Sequence, residues 1–213
     1  MFIRATRIQA PPEKVDDTIA NFKQQVIPNA SKAPGYQGAV LLIDRKSGLG
    51  TGITYWESAK ALGASEQIGM QTRTQATTNV AGTRIVNVER GEVVIMDMPQ
   101  APKTGGVFAR VNTMSGDPDK VDALTVFMRN KALPVLKALK GYRTTAVVVD
   151  RQTGRSSVST TWESRADLES SESKVSGLRD EARRAAGADN VDVEIFEVPV
   201  VEMTQAAVAA LRR

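Results

Sequence analysis

An internal repeat constrains this chain more than any other feature of its sequence. When the 213-residue sequence is aligned with itself at an offset of 106 residues, positions 2 to 66 give 19 identities without a gap. Unrelated sequences of average composition would match at about one position in 16. The matches include Gly35-Tyr36 with Gly141-Tyr142 and Trp56-Glu57-Ser58 with Trp162-Glu163-Ser164. The chain is therefore two copies of one folding unit.

The repeat and the positions of Pro and Gly predict the domain boundaries. We expect the first repeat at residues 1–98 and the second at 107–202. The segment 99–106 between them is rich in Pro and Gly and is typical of a linker. Residues 203–213 are rich in alanine and predict a short C-terminal helix.

Hydrophobic periodicity predicts the same order of elements, β-α-β-β-α-β, in each repeat. Pro28 and Pro134 lie inside helical patterns, so we expect the first helix of each repeat to kink or restart there. The pattern Asp-Arg-x-Ser/Thr-Gly after the second strand predicts a tight hairpin, with Gly48 and Gly154 at positive φ. This order is the ferredoxin-like α+β unit.

The second and sixth predicted strands have apolar or small residues on both faces, as at 40–43 and 146–149. Strands of this kind are covered on both sides. We therefore predict an α+β fold in which two ferredoxin-like βαββαβ repeats pack sheet to sheet, as an intrachain barrel that replaces a homodimer. Assembly of whole chains into a higher homo-oligomer is left open.

Composition excludes several classes of function. The chain has no Cys and no His, which removes disulfides, thiolate nucleophiles and imidazole bases, and makes a metal site an unfavourable prediction. The net charge of +4 divides evenly between the two halves, so no basic surface indicates nucleic-acid binding. The N-terminus has no signal-peptide pattern and no apolar run is long enough to span a membrane, so we expect a cytoplasmic protein.

The element order, the Gly-Tyr pair that ends the first helix and the Trp-Glu-Ser segment after the third strand together carry a resemblance. The chain resembles the antibiotic biosynthesis monooxygenase family, whose members are dimeric α+β barrels, as a tandem duplication. Members of the family include cofactor-free oxygenases of aromatic substrates and haem-degrading enzymes. Because the chain has no His for the usual haem ligation, the resemblance implies no cofactor and favours an aromatic small molecule as the ligand.

Candidate site residues lie on the first strand and beside the two matched tryptophans. The predicted catalytic group is Arg110, Asn112 and Tyr142, in the second repeat, because only that repeat has the Asn. Arg110 and Asn112 share one face of a strand and would hold an anionic or enolate oxygen. The predicted substrate-binding residues are Phe108 and Trp162 in the second repeat and Arg4, Tyr36 and Trp56 in the first.

Each candidate also has a purely structural interpretation. The arginines would pair with an acid such as Glu57 or Glu163, the tryptophans would anchor the core and the tyrosines would lie at a rim. The sequence therefore supports two hypotheses. The first is a small-molecule pocket that oxygenates an aromatic substrate with O₂ and no cofactor. The second is a ligand-binding or structural barrel protein whose ancestral site has decayed.

Overall fold

The computed structural model of the protein describes residues 1–211. Both repeats contain the predicted elements in the predicted order, with each predicted helix divided into two segments. The first repeat comprises β1 Phe2–Gln9, α1 Val15–Asn21, α2 Ile27–Ala30, β2 Tyr36–Ile43, β3 Leu49–Trp56, α3 Ala59–Ala64, α4 Glu66–Asn79 and β4 Arg84–Asp97. The second comprises β5 Phe108–Ser115, α5 Val121–Phe127, α6 Leu133–Lys137, β6 Tyr142–Val149, β7 Arg155–Trp162, α7 Arg165–Ser170, α8 Glu172–Ala186 and β8 Asp192–Met203, followed by α9 Gln205–Leu211.

The two prolines act as the sequence indicated. A π-helical segment, Phe22–Val26, separates α1 from α2, and Pro28 is the second residue of α2. The second repeat is built in the same way, with a π-helical segment before α6 and Pro134 as the second residue of that helix. A proline ring clashes with the carbonyl four residues earlier, and the wider π turn accommodates it.

The hairpins between β2 and β3 and between β6 and β7 depend on a glycine. Gly48 and Gly154 have φ of +73° and +71°, a conformation that other residues rarely adopt. Backbone approach adds a second requirement, since a Cβ on Gly48 would lie 2.0 Å from the carbonyl oxygen of Ala10. The Asp44 carboxylate accepts hydrogen bonds from the backbone N–H of Lys46 and closes the turn.

The chain forms two compact units whose limits cross those of the sequence repeats. Unit 1 contains Met1–Arg90, Pro102–Gly105 and the residues from Glu197 onward, and unit 2 contains Gly91–Ala101 and Gly106–Phe196. The long strands β4 and β8 therefore contribute one part to each unit. The hydrogen-bonded strand order is β1-β3-β2-β8 in unit 1 and β5-β7-β6-β4 in unit 2.

The predicted α+β class with two βαββαβ repeats is confirmed, and each unit has one four-stranded hydrogen-bonded order. In unit 1, β1 and β3 are antiparallel, which places Arg4 opposite Thr54 and Thr6 opposite Gly52. Within residues 1–211, no helix has both the length and the apolar character needed to cross a membrane.

Each unit has its own hydrophobic core beneath its helices. Trp56 in unit 1 and Trp162 in unit 2 are almost fully buried members of these cores. Each indole N–H donates to a threonine two residues earlier on the same strand, at 3.1 Å in both units. The turn after each tryptophan is closed by a serine N-cap, in which Ser58 Oγ accepts from the N–H of Ala61 and Ser164 Oγ accepts from that of Asp167.

Candidate functional site

Unit 1 contains an open cavity between its sheet and its helices, with about 800 Å³ of space including the solvent at its mouth. Arg4, Thr6 and Ile8 of β1 line its floor, because alternate residues of a strand face the same side. Gly52, Thr54 and Trp56 of the neighbouring strand β3 continue this floor. The walls come from the two helical layers, chiefly Phe22 and Val26 on one side and helix α4 on the other.

Helix α4 presents one face to the cavity. The residues of this face recur at intervals of three and four along the helix, as expected for a single helical surface. They are Ile68, Gly69, Thr72, Arg73, Ala76 and Thr77. Most of them are small or apolar, and the only charged side chains that line the cavity in the described part of the chain are Arg73 and Arg4.

Unit 2 has an equivalent but smaller cavity of about 440 Å³ by the same measure. One contribution to the difference is Thr72 of unit 1, which corresponds to the larger Leu178 of unit 2 at the 106-residue offset. Gly52 and Gly69 correspond to Val158 and Val175, but unit 1 fills these two places with other side chains, since a Cβ there would lie 2.8 Å from the ring of Phe22 and 2.6 Å from Nη1 of Arg4.

Arg4 is the most deeply buried charged group of the unit 1 cavity, with 4% of its side chain exposed. Its Nη2 donates to the carbonyl oxygen of Leu62, to Ser65 Oγ and to Glu66 Oε2 at 2.9 to 3.1 Å. The guanidinium carbon lies 5.8 Å from the ring centroid of Trp56, within the range of a cation–π contact. Burial lowers the pKa of Arg4, and the charge of Glu66 opposes that shift.

Glu66 is the hub of a cluster of three arginines, Arg4, Arg73 and Arg90. Arg73 Nη2 donates to Oε1 at 3.0 Å, and Arg90 Nη2 donates to Oε2 at 2.7 Å. Partial burial by itself raises the pKa of Glu66, but hydrogen bonds from Arg90 and Arg73 and the charge of Arg4 outweigh it and lower the pKa to about 2. One carboxylate therefore pairs with three guanidinium groups, which leaves the cluster with a net positive charge.

In unit 2 the equivalent groups bind one another. Arg110 donates to Ser171 Oγ at 2.9 Å and to the carbonyl of Leu168 at 2.8 Å, and it pairs with Glu172 at 2.9 Å. Glu172 also accepts from Arg179. Burial lowers the pKa of Arg110, while the charge of Glu172 raises it.

Asn112 completes this network of unit 2. Its Oδ1 accepts a hydrogen bond from Arg179 Nε at 2.9 Å, and its Nδ2 donates to the carbonyl of Val158 at 3.2 Å. Arg110 and Asn112 both line the unit 2 cavity. At the position of Asn112, unit 1 has Thr6, whose side chain lacks the amide that Asn112 uses to hold Arg179.

The predicted aromatic residues lie in two kinds of place. Trp56 lines the unit 1 cavity, whereas Tyr36 is packed edge to face against it with ring centroids 5.8 Å apart and does not reach the lining. Phe108, Tyr142 and Trp162 belong to the unit 2 core and are likewise not among the residues that line the smaller cavity.

The hydroxyl groups of the two tyrosines that match between the repeats are both hydrogen-bonded. Tyr36 donates to Glu202 at 3.1 Å, and Tyr142 donates to Asp97 at 2.8 Å and lies 2.9 Å from Thr145 Oγ1. Burial is the largest cause that raises the pKa of both phenols above their usual value, and the adjacent carboxylates add to it.

The structure corrects the acid partners that we expected for the arginines. The interpretation that Glu57 or Glu163 would pair with them is wrong, because the partners are Glu66 and Glu172. Arg4 lies opposite Thr54 on β3, so Glu57 is three residues, or about 10 Å, farther along the chain. Glu66 instead begins the helix that packs over the strand.

Arg73 was not among the residues predicted from the sequence, although the repeat marks its position. Arg73 aligns with Arg179 and Ala76 aligns with Ala182 at the same 106-residue offset, beyond the region of the first 19 identities. Extending the repeat along the second helix would have drawn attention to this pair.

Comparison with known proteins agrees with this fold. Residues 1–77 match the family model described as "Antibiotic biosynthesis monooxygenase". The chain is 29% identical over 204 residues to an uncharacterized protein of Mycobacterium tuberculosis, a match that covers 95% of this chain and 85% of that protein. The resemblance to this family is therefore supported over residues 1–77, within the first repeat.

Solved structures show the same fold at low sequence identity. A proposed monooxygenase of Fusobacterium nucleatum superposes with a TM-score of 0.70 and 10% identity over 95% of this chain and 94% of its own. An anthrone oxidase-like protein superposes with a TM-score of 0.63 and 16% identity over 97% and 94% of the two chains. At these identities the comparison establishes a monooxygenase-like fold.

Proposed function

We propose that unit 1 binds a largely apolar small molecule in the cavity between its sheet and helix α4. The observation that carries this proposal is an open, mostly apolar cavity about twice the size of its unit 2 equivalent, with Thr72 at a position where unit 2 has the larger Leu178. Empty apolar space destabilises a protein in proportion to its volume, so a cavity that stays open is typical of a ligand site.

The test of this proposal fills the cavity with the residue that unit 2 uses. N-phenyl-1-naphthylamine is a neutral fluorescent probe, and we expect saturable binding to the wild-type protein. Thr72→Leu should weaken that binding by about tenfold or more, because added volume in a packed site costs about 1 to 3 kcal/mol. Thr78→Leu, on the exposed face of the same helix, is the matched control. Absence of saturable binding, or equal affinity in Thr72→Leu, would overturn the proposal.

Oxygenation of an aromatic substrate without a cofactor is the second candidate function. The observation that favours it is the presence of Arg4 and Arg73 in an otherwise apolar cavity, since guanidinium groups would stabilise the phenolate or enolate of an electron-rich substrate. In the described lining these arginines are also the only titratable groups, so the cavity supplies no carboxylate, lysine or tyrosine as a base.

Oxygen uptake with anthrone tests the second candidate, because oxidation by one O₂ yields anthraquinone and water. Turnover that is abolished by Thr72→Leu supports catalysis in unit 1, whereas binding without oxygen uptake leaves the first candidate alone. The predicted catalytic role of Arg110, Asn112 and Tyr142 in the second repeat is a separate proposal. It requires that Asn112→Ala reduce oxygen uptake while leaving the binding of N-phenyl-1-naphthylamine unchanged.

A further inference from the structure

Hydrogen-bond donors without partners collect in the unit 1 cavity. Among residues 1–211, four buried side-chain polar atoms lack a hydrogen-bond partner, namely Arg4 Nε, Arg73 Nη1, Thr83 Oγ1 and Ser156 Oγ. The residues of the first three line this cavity. Buried polar groups are nearly always paired, because an unpaired one costs about 1 to 3 kcal/mol. Such a concentration therefore calls for an acceptor that comes from outside the chain.

The guanidinium groups of Arg4 and Arg73 come together beside Gly69. A Cβ placed on Gly69 would lie 2.6 Å from Nη1 of Arg4 and 3.2 Å from Nη1 of Arg73. The missing side chain therefore leaves the space that the Arg4 guanidinium occupies, next to the unpaired Nη1 of Arg73. In unit 2 the same position is Val175, which lines the smaller cavity.

The charge at this point is positive. Arg4, Arg73 and Arg90 share the single carboxylate of Glu66, and Arg4 is removed from solvent. In unit 2 the matching arginine, Arg179, donates through Nε to the side-chain oxygen of Asn112. Unit 1 has Thr6 at that position, so it keeps the arginines and lacks the amide.

We propose that the unit 1 cavity is selective for apolar acids, whose carboxylate accepts hydrogen bonds from the unpaired Nε of Arg4 and Nη1 of Arg73. This inference rests on the proposed binding function and adds the chemical class of the ligand. A planar carboxylate matches the fork of a guanidinium group, and hydrogen bonds between two charged groups are about twice as strong as neutral ones. The aromatic or aliphatic body of the acid extends over Ile68, Thr72 and Phe22, which line the remainder of the cavity.

The test compares two ligands that differ only in charge, 2-naphthoate and its neutral isostere 2-naphthamide, by isothermal titration calorimetry at pH 7. We expect the wild-type protein to bind the acid at least tenfold more tightly than the amide. Arg73→Gln should remove about tenfold of this preference and leave the affinity for the amide almost unchanged. Arg90→Gln is the matched control. It also removes an arginine that pairs with Glu66, but Arg90 does not line the cavity.

A second variant addresses the position of Arg4 rather than its charge. Gly69→Ala places a methyl group 2.6 Å from Nη1 of Arg4 and displaces the guanidinium, so it should lower the affinity for 2-naphthoate more than that for 2-naphthamide. Gly63→Ala is its control, since a Cβ there meets no atom within 4 Å. Equal binding of the acid and the amide by wild type overturns the selectivity for acids and leaves the binding function intact. Absence of binding by either ligand overturns both proposals.

Discussion

Replacing Glu66 with glutamine should reveal how much the arginine cluster of unit 1 contributes to stability. The pKa of Glu66 falls from 4.5 to about 2, a depression that would be worth about 3 kcal/mol for a fully buried group. The side chain is 40% exposed, so solvent screening reduces that contribution to about 1 to 2 kcal/mol. Glu66→Gln should therefore lower the free energy of unfolding by about this amount at pH 7, because Arg4 loses its counter-charge.

The effect has a defined pH dependence. The folded protein holds the Glu66 carboxylate at a pKa below the value of 4.5 that it has when unfolded, so its stabilising contribution is fully present above pH 4.5. The contribution is lost as the pH falls from 4.5 towards about 2. The difference in unfolding free energy between wild type and Glu66→Gln should therefore shrink across this interval. Other acids titrate in the same range, but the difference between the two proteins isolates Glu66.

Urea unfolding followed by tryptophan fluorescence, repeated at pH values from 7 down to 2.5, measures this difference. Glu13→Gln, at an exposed carboxylate in the same unit, is the control and should change stability by less than about 0.5 kcal/mol. A cost for Glu66→Gln that is the same at pH 7 and at pH 2.5 would refute the electrostatic reasoning. A cost at pH 7 no larger than that of Glu13→Gln would also refute it.

Two further predictions concern the hairpin glycine and the tyrosines. Gly154→Ala should lower the melting temperature in calorimetry, because φ is +71° and the new Cβ would lie 2.3 Å from the carbonyl oxygen of Gly116. Gly177→Ala is the control and should leave the melting temperature unchanged, because a Cβ there meets no atom within 4 Å. Equal melting temperatures of the two variants would contradict this. Absorbance at 295 nm should not rise near pH 10, because burial raises the pKa of all three tyrosines, to about 12 for Tyr55. Stability should accordingly fall as the pH rises above 10, and a normal phenol titration in the folded state would contradict the prediction.

Much of the fold was predictable because the sequence pattern of each element occurs twice, once in each repeat. The hairpin glycines, the proline positions and the serine N-caps depend on local backbone geometry, which short sequence patterns specify. The passage of β4 from one compact unit to the other near Gly91 was not predictable. It depends on pairing with β6, some fifty residues farther along the chain, and no local pattern records it.

The candidate site was only partly predictable for a related reason. Arg4 was singled out because a charge on a covered strand must find a partner, and the structure supplies Glu66. One contribution to the relative size of the two cavities comes from Thr72, which attracts no attention by itself. Its meaning appears only when it is compared with Leu178, at the same place in the other repeat.

The sharing of β8 has a consequence for the order in which the protein is completed during synthesis. Residues from Glu197 onward belong to unit 1 and pair with β2, which is made about 160 residues earlier. The first repeat therefore leaves the ribosome with one edge of its sheet unpaired and stays in that state while the whole second repeat is translated. A shared strand of this kind makes the completion of unit 1 depend on the production of the second repeat.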